Sequence, residues 1–154
     1  MKKNYKERNN VLVLLDSSDG YIIAGILNEL KNELNCSFYG VVIKDRTDYD
    51  FWKKQNILKF EKLWYYPDYY NKKNDFDINF LNKIEKELEV NLWNFIFSER
   101  FFYKYNQYHK FTHKEILSNL QSTLKLFQTV LIESKPNFVS VSYTHLTLPT
   151  TPYV

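Results

Sequence analysis

Asp16, Ser17, Ser18, Asp19 and Gly20 form the densest run of chemistry in this chain, two carboxylates and two hydroxyls ahead of a glycine. They follow the apolar run Val11-Leu12-Val13-Leu14-Leu15 and precede a helical pattern. In open α/β sheets that junction is where ligands are received. Its backbone N–H groups, with the positive end of the following helix, can bind a hydroxyl or an anionic group. The run is neither a GxGxxG fingerprint nor a Walker A loop, because the glycines and the lysine are missing. Two carboxylates would also repel a bare phosphate, so a neutral polar group such as a sugar hydroxyl fits better. Ser17, Ser18 and Gly20 are therefore substrate-binding candidates, and Asp16 and Asp19 are candidates for a general base. The competing reading is a turn needed only for folding, with Asp19 or Ser18 capping the helix.

A second set lies at Ser98-Glu99-Arg100. Glu99 is the third candidate base and Arg100 a further substrate-binding candidate. Side by side they equally make a surface ion pair, which is worth little. Tyr65, Tyr66, Tyr69 and Tyr70 around Pro67 read either as a stacking surface for a sugar or base or as a lid of packed rings. His109 and His113 are separated by a capping signature, and neither HExxH nor a cysteine partner is present, so no metal site is expected. The single cysteine, Cys36, excludes an internal disulfide. It is expected as a small core filler in a reducing, cytoplasmic compartment. No Gly-x-Ser-x-Gly elbow or nucleophile–base pair is visible.

The elements that must carry these groups alternate between strand and helix. Val11 to Leu15 is a continuous apolar run, the mark of a strand buried on both faces. Ile22, Ile23, Ile26, Leu27, Leu30 and Leu34 predict one apolar helix face, and residues 37–43 (SFYGVVI) a second strand. Strand, helix and strand in this span make a βαβ unit with a right-handed crossover. Asp50 is expected to cap a short helix over residues 51–58. Residues 60–66 suit a third strand stopped at Pro67. Ile78, Leu81, Ile84 and Leu88 predict a helix, continued by Leu92, Trp93, Ile96 and Phe97 after a break at residues 89–91. Residues 103–110 read as a loop. Thr112 and Glu115 form a capping box ahead of a long helix that ends before Pro136. Asn137-Phe138-Val139 looks like the entry to another buried strand. The fold class expected is α/β, an open, mostly parallel Rossmann-like sheet with flanking helices.

Charge is nearly balanced, 21 basic against 18 acidic residues for a net +3. A duplex nucleic-acid binder needs a concentrated basic stripe, so nucleic acid is not an expected partner. No apolar stretch is long enough for a signal peptide core or a transmembrane segment. Aromatic residues make up 18% of the chain, so large rings are expected to dominate packing. Residues 141–154 differ from everything before them, with no charged side chain and with Pro149 and Pro152 among threonines. The stretch VSYTHLTLPT is similar to a translated sequencing-library adapter, which marks the tail as non-native. The expected organisation is a solvated lead-in over 1–10, an incomplete Rossmann-like N-terminal domain over 11–140, and that tail over 141–154.

Three segments carry a family resemblance: NVLVLLDSSDGYIIAGILNEL, NLWNFIFSERFFYKYN and FTHKEILSNLQSTLKLFQTVLIESKPNFV. With Trp93, Ser98-Glu99-Arg100, Tyr103 and Tyr105 before the long helix, residues 10–140 resemble the front of GT-B-type glycosyltransferase-like proteins of capsule and surface-polysaccharide biosynthesis. The resemblance implies a Rossmann-like domain that holds a saccharide acceptor, and a second domain that holds the nucleotide-sugar donor. Residues 16–20 would form the cleft floor and Glu99-Arg100 its rim, without a metal. It further implies a truncated acceptor-side domain, inactive alone and without a cofactor of its own, from a full-length protein that uses a nucleotide-sugar and associates at most peripherally with a membrane. The alternative is a stand-alone α/β nucleotide- or partner-binding module without transfer activity.

Overall fold

The apolar run that opens the chain becomes the central strand of a sheet. In a computed structural model, residues 8–15, 19–70, 75–98 and 110–141 are described. The elements run β1 (Asn9–Leu15), α1 (Asp19–Leu34), β2 (Cys36–Val42), α2 (Arg46–Lys54), β3 (Phe60–Tyr65), a 3-10 turn (Tyr66–Tyr69), α3 (Ile78–Leu88), α4 (Leu92–Ser98), α5 (His113–Ser134) and β4 (Phe138–Ser140). The four strands pair in parallel in the order β3-β2-β1-β4. The chain is thus α/β with an all-parallel, Rossmann-like sheet and flanking helices. It divides into two compact units, Met1–Pro67 with Val130–Val154, and Asp68–Thr129, the division falling within α5.

In the first unit, Val11, Val13 and Leu15 of β1 pack with Ala24 of α1, Phe38 and Val42 of β2, Trp52 of α2 and Leu58. Leu12, Val41 and Trp64, which alternate with them along the strands, are buried as well. Both faces are therefore covered, which is why β1 reads as an unbroken apolar run. Each such buried side chain contributes about 1.5–3 kcal/mol relative to exposure. Gly40 permits this density, because a Cβ there would sit 2.6 Å from Leu63 Cδ2 and 3.1 Å from Leu15 Cδ1 and Phe60 Cε1.

Three local expectations are corrected. Of the expected α1 face, Ile23 and Leu27 are half-buried beside the buried Ala24, Ile22 and Ile26 are exposed, and the side chains of Leu30 and Leu34 lie outside those described. Apolar residues on adjacent sides of a helix cannot all face one sheet, and the small Ala24 allows the closest approach. α2 begins at Arg46, not near Phe51, because Asp45 is its cap, with Oδ1 accepting from Asp48 N at 2.9 Å. Asp50 instead lies inside the helix, 3.7 Å from Arg46 Nε. β1 also begins at Asn9, two residues ahead of its apolar run, because Asn9 pairs with Cys36 and Asn10 with Ser37. Asn10 N donates to Asn137 Oδ1 and Asn137 N to Asn10 O, both at 2.8 Å. Asn10 Nδ2 also donates to Ser134 O at 2.7 Å, so one side chain ties the end of α5 to the sheet.

In the second unit, Leu81 and Ile84 of α3 and Leu92 of α4 gather Phe76, Phe80, Leu117, Leu120 and Leu124 around them. Side-chain caps hold the helix starts. Asp77 Oδ1 accepts from Asn79 N, Asn91 Oδ1 from Trp93 N, and Glu85 Oε1 from Leu92 N. Thr112 and Glu115 form the expected reciprocal box, with Thr112 N donating to Glu115 Oε2 at 2.7 Å and Glu115 N to Thr112 Oγ1 at 3.3 Å. Among the described residues no helix is long and apolar enough to cross a membrane.

Candidate functional site

Parallel strands put all their carboxyl ends on one side. β1 ends there at Leu15, β2 at Val42, β3 at Tyr65 and β4 at Ser140. From β1 the chain passes through α1 to β2 on one flank and α2 to β3 beyond it, whereas β4 lies on the other flank of β1. The direction of winding therefore reverses between β1 and β4. Such a reversal opens a crevice at the carboxyl ends of its two strands. Val13 is level with Ser140, so β1 runs two residues beyond β4 at this point.

Asp19 and Gly20 are the first two residues of α1, separated in the chain from the carboxyl end of β1 by three residues. Asp16, Ser17 and Ser18, which join the two elements, lie outside the described residues. So do Glu99 and Arg100, His109, and nearly all of the loop expected over 103–110. His113 is exposed at the start of α5, with the Trp93 ring 6.0 Å away and edge-on. Among the described residues, no group of three or more His, Cys, Asp or Glu side chains could hold a metal ion.

The carboxyl rim carries a cluster that sequence reasoning missed. Arg46, the first residue of α2, lays its guanidinium 5.0 Å from the centre of the Tyr49 ring and 5.4 Å from that of Tyr65. The two rings are themselves 5.3 Å apart. Stacking on the rings fixes the plane of the guanidinium, whose Nε also faces Asp50 Oδ1 at 3.7 Å. The signal was present in part. Asp45 shortly after an apolar strand is a helix start, and the helix then brings Arg46 and Tyr49 onto one face.

Of the four tyrosines around Pro67, Tyr65 and Tyr66 belong to the first unit and Tyr69 and Tyr70 to the second. Tyr65 joins the core of the first unit beside Tyr49. Tyr69 and Tyr70 are partly exposed, and Tyr70 Oη accepts from Asn119 Nδ2 at 2.8 Å. Cys36 is half-buried against the apolar core, and burial pushes its thiol up from its ordinary value. That suits a filler rather than a nucleophile, which needs a lowered pKa. No protein-family model, curated protein or solved structure matches this chain. Its chemistry has to be read from its own residues.

Proposed function

We propose that this chain is the acceptor-side domain of a glycosyltransferase-like protein of cell-surface polysaccharide biosynthesis, and that it receives a saccharide at the carboxyl end of its sheet. The observation that carries this is the strand order β3-β2-β1-β4, with its reversal next to the start of α1. Crevices at such reversals are where parallel α/β domains take their ligands. The choice of a saccharide rests on the residue types around that crevice. By residue type, Asp16 and Asp19 disfavour a bare phosphate, Ser17 and Ser18 offer hydroxyls, and Gly20, the second residue of α1, adds no side chain. Farther along the same carboxyl rim, beside β3, Arg46 stacked on Tyr49 and Tyr65 offers ring faces next to a cation, a pairing that suits the apolar face of a pyranose. Support also comes from the resemblance of residues 10–140 to GT-B-type proteins.

In this account Asp16 or Asp19 takes the proton of the acceptor hydroxyl, and the nucleotide-sugar is bound by a separate donor domain. The chain alone binds saccharide without transferring it. An array of bacterial surface oligosaccharides tests this. The wild-type chain is expected to retain a defined subset, and Arg46→Ala to weaken that binding by about tenfold, the loss of one well-placed charged donor. Retention of nucleotides with no saccharide retained would replace the proposal with the nucleotide-binding module.

A further inference from the structure

The other end of the same sheet carries a different chemistry. The last turn of α2, its connection to β3 and the start of β3 line an open cleft of about 520 Å³. Lys53, Lys54, Lys59 and Lys62 line it, against a single carboxylate, Glu61. That carboxylate is already taken, since Glu61 Oε1 lies 2.6 Å from Arg8 Nη2. Lys62 is likewise engaged, by Glu133. Lys53, Lys54 and Lys59 have no ion pair among the described residues. The cleft therefore holds three uncompensated positive charges.

Its frame is built rather than incidental. Gln55 Nε2 donates to Trp52 O at 3.2 Å and to Leu58 O at 2.7 Å, and Gln55 Oε1 accepts from Leu58 N at 3.0 Å, so one amide fixes the whole connection. The buried side chains of Trp52 and Leu58 and the half-buried Phe60 supply an apolar floor. β3 is bulged here, since Phe38 pairs with Phe60 but Tyr39 with Lys62, leaving Glu61 out of the ladder. The carboxyl end of α2 opposes an anion by about half a charge. Its last carbonyls are partly answered by Gln55, whose backbone N–H donates to Phe51 O, and three ammonium groups outweigh the rest.

We propose that this cleft binds a small multivalent anion of the phosphate type. Multivalency is required because one exposed ammonium attracts one anion only weakly through water and salt, so a useful affinity needs a ligand that meets two or three of them together. The volume lies in the usual range for small-molecule sites, about 300–1,000 Å³. A nucleic-acid polymer is a poorer match, because 21 basic against 18 acidic residues leave the chain nearly balanced, whereas a duplex binder needs a concentrated basic stripe. The inference stands apart from the saccharide proposal, which concerns the carboxyl end of the sheet.

The experiment is calorimetric titration of the whole chain with tripolyphosphate and with inorganic phosphate, at low and high salt. The variants are Lys53→Gln/Lys54→Gln/Lys59→Gln, and Lys83→Gln/Lys86→Gln on α3 as a charge control. All five lysines are exposed, so the variants should melt like the wild type. Tripolyphosphate is expected to bind at least about tenfold more tightly than phosphate, to weaken with salt, and to be lost in the triple variant but kept in the control. Three results would overturn the proposal. They are no saturable binding of tripolyphosphate, binding that survives in the triple variant, or an equal loss in both variants. In any of these cases the lysines form only a solvated surface.

Discussion

The two compact units satisfy their polar groups by different means. In the first, parallel strand pairing absorbs the backbone N–H and C=O groups, so the space between sheet and helices is filled almost entirely by Val, Leu, Phe and Trp. In the second no strand is described, and each helix start is held by a side chain of its own, at Asp77, Asn91, Glu85 and the Thr112–Glu115 box. Its polar accounts are also less complete. Ser118 Oγ and Asn119 Oδ1 are buried without a hydrogen-bond partner. The first unit leaves only Trp64 Nε1 in that state among the described residues. A sheet core tolerates little change in volume, whereas a capped helical cluster depends on single side-chain contacts.

The largest expected effect contrasts the two cores. Leu15, 1% exposed beside Gly40, has no room to relax, so Leu15→Ala should cost about 3–5 kcal/mol. Leu81 packs among several half-buried neighbours that can close over a gap, so Leu81→Ala should cost about 2–3 kcal/mol. Urea unfolding curves measure both, and the contrast fails if Leu81→Ala costs as much as Leu15→Ala. The next effect changes sign between two glycines of the first unit. Gly40→Ala overpacks the sheet and should cost about 1–3 kcal/mol. Gly25→Ala, in α1 with nothing within 4 Å of the new methyl, should stabilise by about 0.5–1 kcal/mol. A loss at both positions in thermal melts would mean that α1 is packed more tightly than described.

Thr112→Ala removes one half of the capping box and should cost about 1 kcal/mol, visible as a lower melting midpoint and reduced helical circular dichroism. The smallest effect is also the most discriminating. Ser118→Ala deletes a buried hydroxyl that has no partner and should be neutral or stabilise by up to about 1 kcal/mol. Ser134→Ala removes a hydroxyl that donates to Val130 O at 2.6 Å, and should destabilise slightly. If the two serines respond alike in the same unfolding assay, the difference in polar satisfaction between the units has no energetic consequence.

How much of this was legible in the sequence follows from the same contrast. β1 could be read because burial on both faces leaves an unbroken apolar run, and α5 because a capping box is a local signature. The start of α2 was misjudged because Asp45 and Asp50 are both plausible caps, and only the backbone geometry after β2 decides between them. The phase of α1 was hidden because its isoleucines surround more than one face, while the residue that meets the sheet is the small Ala24. At the candidate site, the start of α1 was legible because strand followed by helix defines it. The cluster of Arg46 with Tyr65 was not, since two parallel strands and a crossover bring those residues together. The lysine cleft was missed for a similar reason. Its lysines are brought together by a connection that Gln55 holds, and its one carboxylate is held by Arg8, a partner distant in the chain.

The most direct measurement is amide chemical-shift mapping of the chain on titration with bacterial surface oligosaccharides and, separately, with a nucleotide-sugar. The account predicts that saccharide shifts the amides of Leu15, the connection 16–18, Asp19, Gly20 and Arg46, while the nucleotide-sugar leaves that crevice unchanged. Saccharide that shifts nothing there, or a nucleotide-sugar that alone occupies the crevice, would contradict it.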